Sequence, residues 1–294
     1  MNVVGLDLGG TNLRAGLLND GRLSRVTSVA LHSNGSQGEI LSQIEELIGG
    51  YVEPAIDAIG IGVPSIVDVD RGIVYDVQNI PSWKQVPLKD YLERRFTLPV
   101  YVNNDANCFA VGEKFFGKGR NYRNLVGLII GTGLGAGLII NNKLHAGRNC
   151  GAGEFGMIPW KDGILEDYCS GQFFKTTYNE SGERLFRDAS QGNMRAKEIY
   201  AEFGRNLGKA IAIILLTIDP EIIILGGSVS KSFAFFHDAM WDSLSSFPYP
   251  RTLRQLGIEV SEVDNVAILG AAALLYDALG EDLAGVKTSQ REKE

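Results

Sequence analysis

The sequence predicts an α/β protein of two related lobes, and three observations carry that prediction. Four apolar runs stop abruptly at turn residues, one strand–turn–strand segment recurs more than a hundred residues later, and helical periodicity fills the intervals. Apolar runs that end in this way are expected of sheet strands that deliver a backbone loop to a ligand.

The first run is Val3-Val4-Gly5-Leu6-Asp7-Leu8, followed by Gly9-Gly10-Thr11-Asn12 and a second apolar stretch, Leu13 to Leu18. The next, Ile56 to Val63, ends at Pro64. Leu125 to Ile130 leads into Gly131-Thr132-Gly133-Leu134-Gly135 and the stretch Ala136 to Ile140, and Ile222 to Leu225 stops at Gly226-Gly227. A shift of 122 residues superposes Val4-Gly5-Leu6 on Val126-Gly127-Leu128 and Gly9 on Gly131, and one residue of slip then aligns Ala15-Gly16-Leu17 with Ala136-Gly137-Leu138. Such a spacing is far too long for a solenoid and indicates two domains that open with the same hairpin. Apolar residues at Ile40, Leu41, Ile44, Leu47 and Ile48 predict a helix over 39–48; others are expected over 106–116, 194–218 and 266–279. Asp219-Pro220 should stop the long third one. The mixed-charge end, Lys287 to Glu294, should fray.

Composition narrows the function. The chain has 294 residues, 45% of them hydrophobic and 21% charged, which is material for a buried core and excludes a disordered or collagen-like chain. With 28 Lys+Arg against 35 Asp+Glu it carries a net charge of −7, and no Lys/Arg-dense block offers a cationic face to a nucleic acid. No basic, apolar and small-residue leader pattern opens the chain, and uncharged apolar stretches such as Ala210 to Ile218 are too short to span a bilayer. A cytoplasmic protein without membrane or nucleic-acid partners is expected. Cys108, Cys150 and Cys169 are odd in number and lack CxxC spacing, so they read as buried free thiols. Glycine is in excess, 36 of 294 or about 12% against the usual ~7%, and the excess is clustered in turns.

Gly9-Gly10-Thr11 lies between two strands, where glycine permits φ > 0 and close approach of backbone N–H groups to an anion, and Thr11 adds a hydroxyl donor. Gly131-Thr132-Gly133-Leu134-Gly135 repeats the arrangement. One such turn alone is more simply a tight hairpin; two matching ones favour phosphate binding. Neither is a Walker loop, since no Gly-Lys-Ser/Thr follows, and neither is a dinucleotide fingerprint, since each leads into a strand rather than a helix.

Asp7-Leu8-Gly9-Gly10-Thr11-Asn12-Leu13-Arg14, with Asn104-Asp105-Ala106-Asn107, the Gly131 turn and Leu225-Gly226-Gly227, resembles the ROK family of sugar kinases in the actin/hexokinase/Hsp70 superfamily, over Val3 to about Ala273. The resemblance implies two actin-like (ribonuclease H-like) lobes around a nucleotide/sugar cleft. The smaller lobe would comprise 1–118 plus 271–294, with a returning C-terminal helix, and the larger 119–270. It implies ATP against both Gly turns, with Asp7, Gly9, Gly10, Thr11, Asn12, Gly131, Thr132, Gly133 and Gly135 at the phosphates and Gly226 and Gly227 near the adenosine. Magnesium would lie near Asp7, held indirectly. Asp105 resembles the family base, which accepts a proton from a sugar hydroxyl of high pKa during attack on the γ-phosphoryl group. Read by itself, Asn104-Asp105 is a helix cap, a role compatible with catalysis. Glu154 and Glu166 look like the family's sugar-binding carboxylates, each able to accept two hydroxyl hydrogen bonds; the segments holding Gly62, Pro64, Asn79 and Asn104 resemble those beside the sugar.

The chain departs from the family where a His and a Cys-rich segment would bind a structural zinc. Met157 stands at the His position, the shortened segment Ile158 to Ile164 has no Cys, and a thioether is a poor zinc ligand. No zinc is expected, with Trp160 and its neighbours holding this loop by packing. His32, His145 and His237 are scattered along the chain.

The activity implied is ATP-dependent hexose phosphorylation, most simply a cytoplasmic glucokinase of glycolysis and carbohydrate metabolism, dimeric or tetrameric as ROK kinases commonly are. Kinases for N-acetylmannosamine, N-acetylglucosamine, fructose, mannose or allose share the framework. ROK regulators place a winged helix ahead of the first strand, and a strand that starts at Val3 argues against one. Asp105 and both Gly turns argue against a non-catalytic sugar sensor.

Overall fold

Val3, Val4, Leu6 and Leu8 are all fully buried, so the first strand is covered on both faces, as its nearly unbroken apolar run requires. The computed structural model describes residues 1–51 and 56–280; the terminal Lys287 to Glu294 lies outside the described residues. Strands β1 (Asn2–Leu8) and β2 (Asn12–Asn19) form an antiparallel hairpin, and β3 (Arg22–Ala30) pairs with β2. Helix α1 (Gln37–Gly49) starts earlier than its apolar pattern indicates, because Ser36 and Glu39 close a capping box ahead of it. Then come β4 (Ala58–Val63), the small antiparallel sheet of β5 (Ile66–Asp68), β6 (Ile73–Tyr75) and β7 (Gln85–Pro87), helix α2 (Leu88–Phe96), β8 (Val100–Asn104) and α3 (Asp105–Phe116).

The repeat begins with β9 (Leu125–Ile130), β10 (Leu134–Ile140) and β11 (Lys143–Leu144). A 3₁₀ turn at Phe155–Met157 precedes the hairpin of β12 (Pro159–Trp160) and β13 (Gly163–Ile164). Helices α4 (Leu165–Cys169), α5 (Gln172–Tyr178), α6 (Gly182–Ser190) and α7 (Met194–Thr217) follow, then β14 (Ile222–Gly226), α8 (Phe233–Leu244), α9 (Pro250–Gln255), β15 (Gly257–Val260) and α10 (Val266–Leu279). Helix α7 ends where expected, at a left-handed Asp219 before Pro220.

The two large sheets run β3-β2-β1-β4-β8 and β11-β10-β9-β14-β15. Numbered within each sheet, both orders are 3-2-1-4-5, and in both the first strand pairs in parallel with the fourth, and the fourth with the fifth. The duplication read from one hairpin therefore extends to whole sheets. The chain divides into two compact units: Met1–Asn121 with Ile139–Ala152 and the chain from Val263, and Tyr122–Leu138 with Gly153–Glu262. The sequence-based division was 1–118 plus 271–294 against 119–270.

In the first unit α10 lies directly on β1, β4 and α3, at a separation that only glycine permits. A Cβ on Gly60 would stand 1.8 Å from the Ala271 carbonyl oxygen, one on Gly5 2.2 Å from that of Ile268, and one on Gly270 1.7 Å from that of Cys108. The glycines inside these otherwise apolar elements are contact points, and they fix the start of α3 against the sheet. No helix among the described residues is long and apolar enough to cross a membrane.

Candidate active site

Because β1, β4 and β8 are parallel, their carboxyl ends share one edge, the edge at which open α/β sheets present loops to ligands. Asp7 lies opposite Gly62, Gly62 opposite Asn103 and Val63 opposite Asn104. Pro64 follows directly. The Gly9–Asn12 turn closes on a hydrogen bond from the Gly9 N–H to the Asn12 carbonyl at 2.9 Å. Asn79 packs against it: a Cβ on Gly10 would meet Asn79 Nδ2 at 3.0 Å. One unit thus brings together Asp7, Gly9, Gly10, Thr11, Asn12, Gly62, Asn79, Asn104 and Asp105.

The position of Asp105 separates capping from catalysis. Asn104 is the N-cap of α3, its Oδ1 accepting from the N–H of Ala106 at 2.9 Å and of Asn107 at 3.4 Å, while its Nδ2 donates to the Ser65 carbonyl at 3.2 Å. Asp105 is therefore the first helical residue, partly exposed, with the Ala106 N–H at 2.9 Å from its Oδ1. The start of a helix suits a negative charge and holds it rigidly.

Sequence reasoning assigned no role to two residues here. Arg14, opposite Asp7 on the hairpin, donates from Nε to Asp7 Oδ2 at 3.0 Å and from Nη2 to the same oxygen. Register across the hairpin was the signal for it. Asn103 is buried at the end of β8, and its Oδ1 accepts from the Asn104 N–H and Asn107 Nδ2, each at 2.9 Å, and from Cys150 Sγ at 3.3 Å. It anchors the segment immediately before Asp105, and nothing in a run of asparagines marks which one does so. Cys108 lies beneath the same edge; burial first, then the Asp105 and Asp7 charges, push its thiol well above the usual range.

In the second unit the Gly131 turn and the two glutamates form one cluster. Glu166 Oε2 accepts from the Leu134 N–H at 2.8 Å, and Gln172 Nε2 donates to Oε1 at 3.3 Å. The Gly171 N–H donates to the Gly131 carbonyl at 2.7 Å, so the segment carrying Glu166 is tied to the turn at both ends. Glu154 lies between two close approaches to β10. A Cβ on Gly153, whose φ is +96°, would meet the Ala136 carbonyl at 2.4 Å, and one on Gly156 the Leu134 carbonyl at 2.5 Å. Desolvation and then the Glu166 charge raise the Glu154 carboxyl above its ordinary range. Gly226 pairs with Ile129, and Gly227, at φ +87°, presses on the Ile130 carbonyl, so both adjoin the start of the Gly131 turn.

One expectation is corrected. Gly9, Gly10, Gly131, Gly133 and Gly135 do not take positive φ. Two of them contribute space instead: Gly10 admits Asn79, and Gly133 admits Glu166, whose Oε2 would lie 2.6 Å from a Cβ there.

A family model described as "ROK family" matches residues 3–278. The chain belongs to the ROK family. Among ROK relatives, the glucokinase of Thermotoga maritima is 30% identical over 95% of this chain and 99% of its own. The N-acetyl-D-glucosamine kinase of Vibrio parahaemolyticus is also 30% identical, over 92% and 98%. The structure of a ROK family glucokinase from Streptomyces griseus, in complex with glucose and AMPPNP, aligns at a TM-score of 0.77 and 30% identity, covering 93% of this chain and 99% of that one. The α/β fold is that of ROK sugar kinases.

Met157, which stands where the resemblance led to the expectation of a histidine, is exposed. Cys169 is fully buried with its thiol pushed up to about 12, Cys150 is held on Asn103, and His145 is exposed. Among the described residues no three His, Cys, Asp or Glu side chains gather as a metal site.

Proposed function

We propose that the chain transfers the γ-phosphoryl group of ATP to a hexose, most simply to the 6-hydroxyl of glucose, in the cytoplasm. That it is a sugar kinase follows from its family and relatives; the particular sugar, the nucleotide and the residue roles are this proposal. The observation that carries it is Asp105, a partly exposed carboxylate fixed at the first position of α3 while Asn104 satisfies the helix cap. So placed, Asp105 serves as the base for the sugar hydroxyl, and Asn104, Asn79 and the Gly62–Pro64 loop line the sugar beside it. Glu154 and Glu166 accept hydroxyl hydrogen bonds, a role that needs them ionised. N-acetylmannosamine, N-acetylglucosamine, fructose, mannose and allose are the competing substrates. Measuring ADP release over this panel tests the reading, and absence of hexose-stimulated release would refute it.

For the nucleotide, the donor set fits: two Gly turns with exposed Thr11 and Thr132, and Gly226 and Gly227 beside the second. Asp7 is the carboxylate nearest the first turn in sequence, but Arg14 occupies its Oδ2. This suits indirect contact with magnesium, which when bound neutralises phosphate charge. Activity should therefore require added Mg²⁺, whereas chelation should leave the melting temperature unchanged and elemental analysis should find no stoichiometric zinc. About one zinc per chain, with melting lowered by chelation and restored by zinc alone, would contradict this.

A pH dependence follows from Glu154. With its carboxyl raised, hexose KM should climb as pH falls from neutrality, before the ordinary carboxylate range is reached. Glu166→Gln, which removes the like charge, should move that limb to lower pH. The sign for stability is opposite: a carboxyl raised by folding costs stability above its folded pKa, and the cost vanishes as pH falls through it. A hexose KM independent of pH across this interval would remove Glu154 from the sugar site.

A further inference from the structure

We propose that Lys161 is a positioning residue for the sugar carboxylate Glu166, acting through a clasp that locks the β12–β13 hairpin onto α4 and α7; this rests on the assignment of Glu166 to the sugar. Lys161 occupies the two-residue tip of the hairpin at φ +54°, a left-handed conformation that favours glycine over a residue with a Cβ. What holds it there is its ammonium group. Lys161 Nζ donates to Asn206 Oδ1 on α7 at 3.0 Å and stands 4.3 Å from the centroid of the Tyr168 ring on α4. Tyr168 in turn donates from its hydroxyl to Asp162, the other tip residue.

Further hydrogen bonds tie the hairpin to α4. The Leu165 N–H donates to the Ile158 carbonyl at 2.9 Å, and the Ile164 N–H to Asp167 Oδ2 at 2.9 Å. Asn206 is 6% exposed, so the lysine bond satisfies an acceptor that solvent scarcely reaches. Glu166 lies two residues before Tyr168 on a helix of only five residues, too short to hold its own orientation. Its aim at the Leu134 N–H is set at one end by Gln172 and Gly171 and at the other by this clasp.

Lys161→Gly tests the assignment because it relieves the backbone while deleting the clasp. The hexose KM should rise about 5- to 20-fold, the scale of a misdirected charge-assisted hydrogen-bond pair, with ATP KM and melting temperature held. Lys161→Arg, which keeps both the cation over the ring and a donor to Asn206, should restore the hexose KM. A hexose KM within twofold of wild type in Lys161→Gly overturns the inference. So does a rise of both KM values together with a fall in kcat and melting temperature, which would mark a merely structural lysine. A wild-type protein inactive on every hexose would instead defeat the sugar-kinase assignment of Glu166 itself.

Discussion

Asp105→Asn should lower kcat by about 10² or more, roughly 2.7 kcal/mol of barrier, while hexose affinity and melting temperature stay near wild type. The amide preserves size and can still accept from the Ala106 N–H, but it cannot take a proton. The usual difficulty with such a test is that an N-terminal Asp often holds its helix. Here Asn104 accepts from both Ala106 and Asn107, so the helix retains its cap and the loss is confined to chemistry. Calorimetric hexose binding and thermal melting on the variant supply the control. Turnover near wild type would remove Asp105 from the mechanism.

Gly133→Val should be nearly as damaging and should affect both substrates. From sequence, a bulky residue in this turn threatens the nucleotide first. The structure adds that a Cβ at Gly133 would lie 2.6 Å from Glu166 Oε2, the oxygen that accepts from Leu134. Valine therefore displaces a carboxylate assigned to sugar as well as crowding the turn assigned to phosphate. Both KM values should rise about tenfold or more, the scale of a lost charge-assisted hydrogen bond. Gly131→Ala is the matching control, because a Cβ there meets nothing within 4 Å. It should leave hexose KM alone and raise ATP KM only if a ligand approaches that backbone. Unchanged ATP kinetics in both variants would reduce the Gly131 turn to a structural hairpin.

Strand and helix positions were legible because apolar runs and Gly turns are local signals, and the hairpin repeat showed because β1–β2 and β9–β10 keep similar residues. The shared 3-2-1-4-5 order was not, since pairing of β1 with β4, or β9 with β14, depends on contacts far apart in the chain. The family resemblance singled out Asp105, Glu154 and Glu166 but could not say which partner each would take. The capping role of Asn104, the Arg14 pair on Asp7 and the tie between Glu166 and Leu134 are all consequences of register and close packing. The glycine turns show the same limit: sequence marks the turns, while only geometry shows that a neighbour excludes a side chain at Gly10 and Gly133 and that none does at Gly131. Lys161 and Asn206, 45 residues apart, carry no pattern that pairs them in advance.

Phosphoryl transfer to a hexose by a carboxylate base leaves a sugar phosphate, which can be followed as it forms. Incubating the protein with ATP, Mg²⁺ and each hexose of the panel, then following phosphorus by NMR, should show one sugar phosphate forming in step with ADP. For glucose the new ester should be at the 6-position, and Asp105→Asn should slow its appearance about a hundredfold. ADP released without any sugar phosphate, or a hexose bound tightly with neither product formed, would rule out hexose phosphorylation by Asp105.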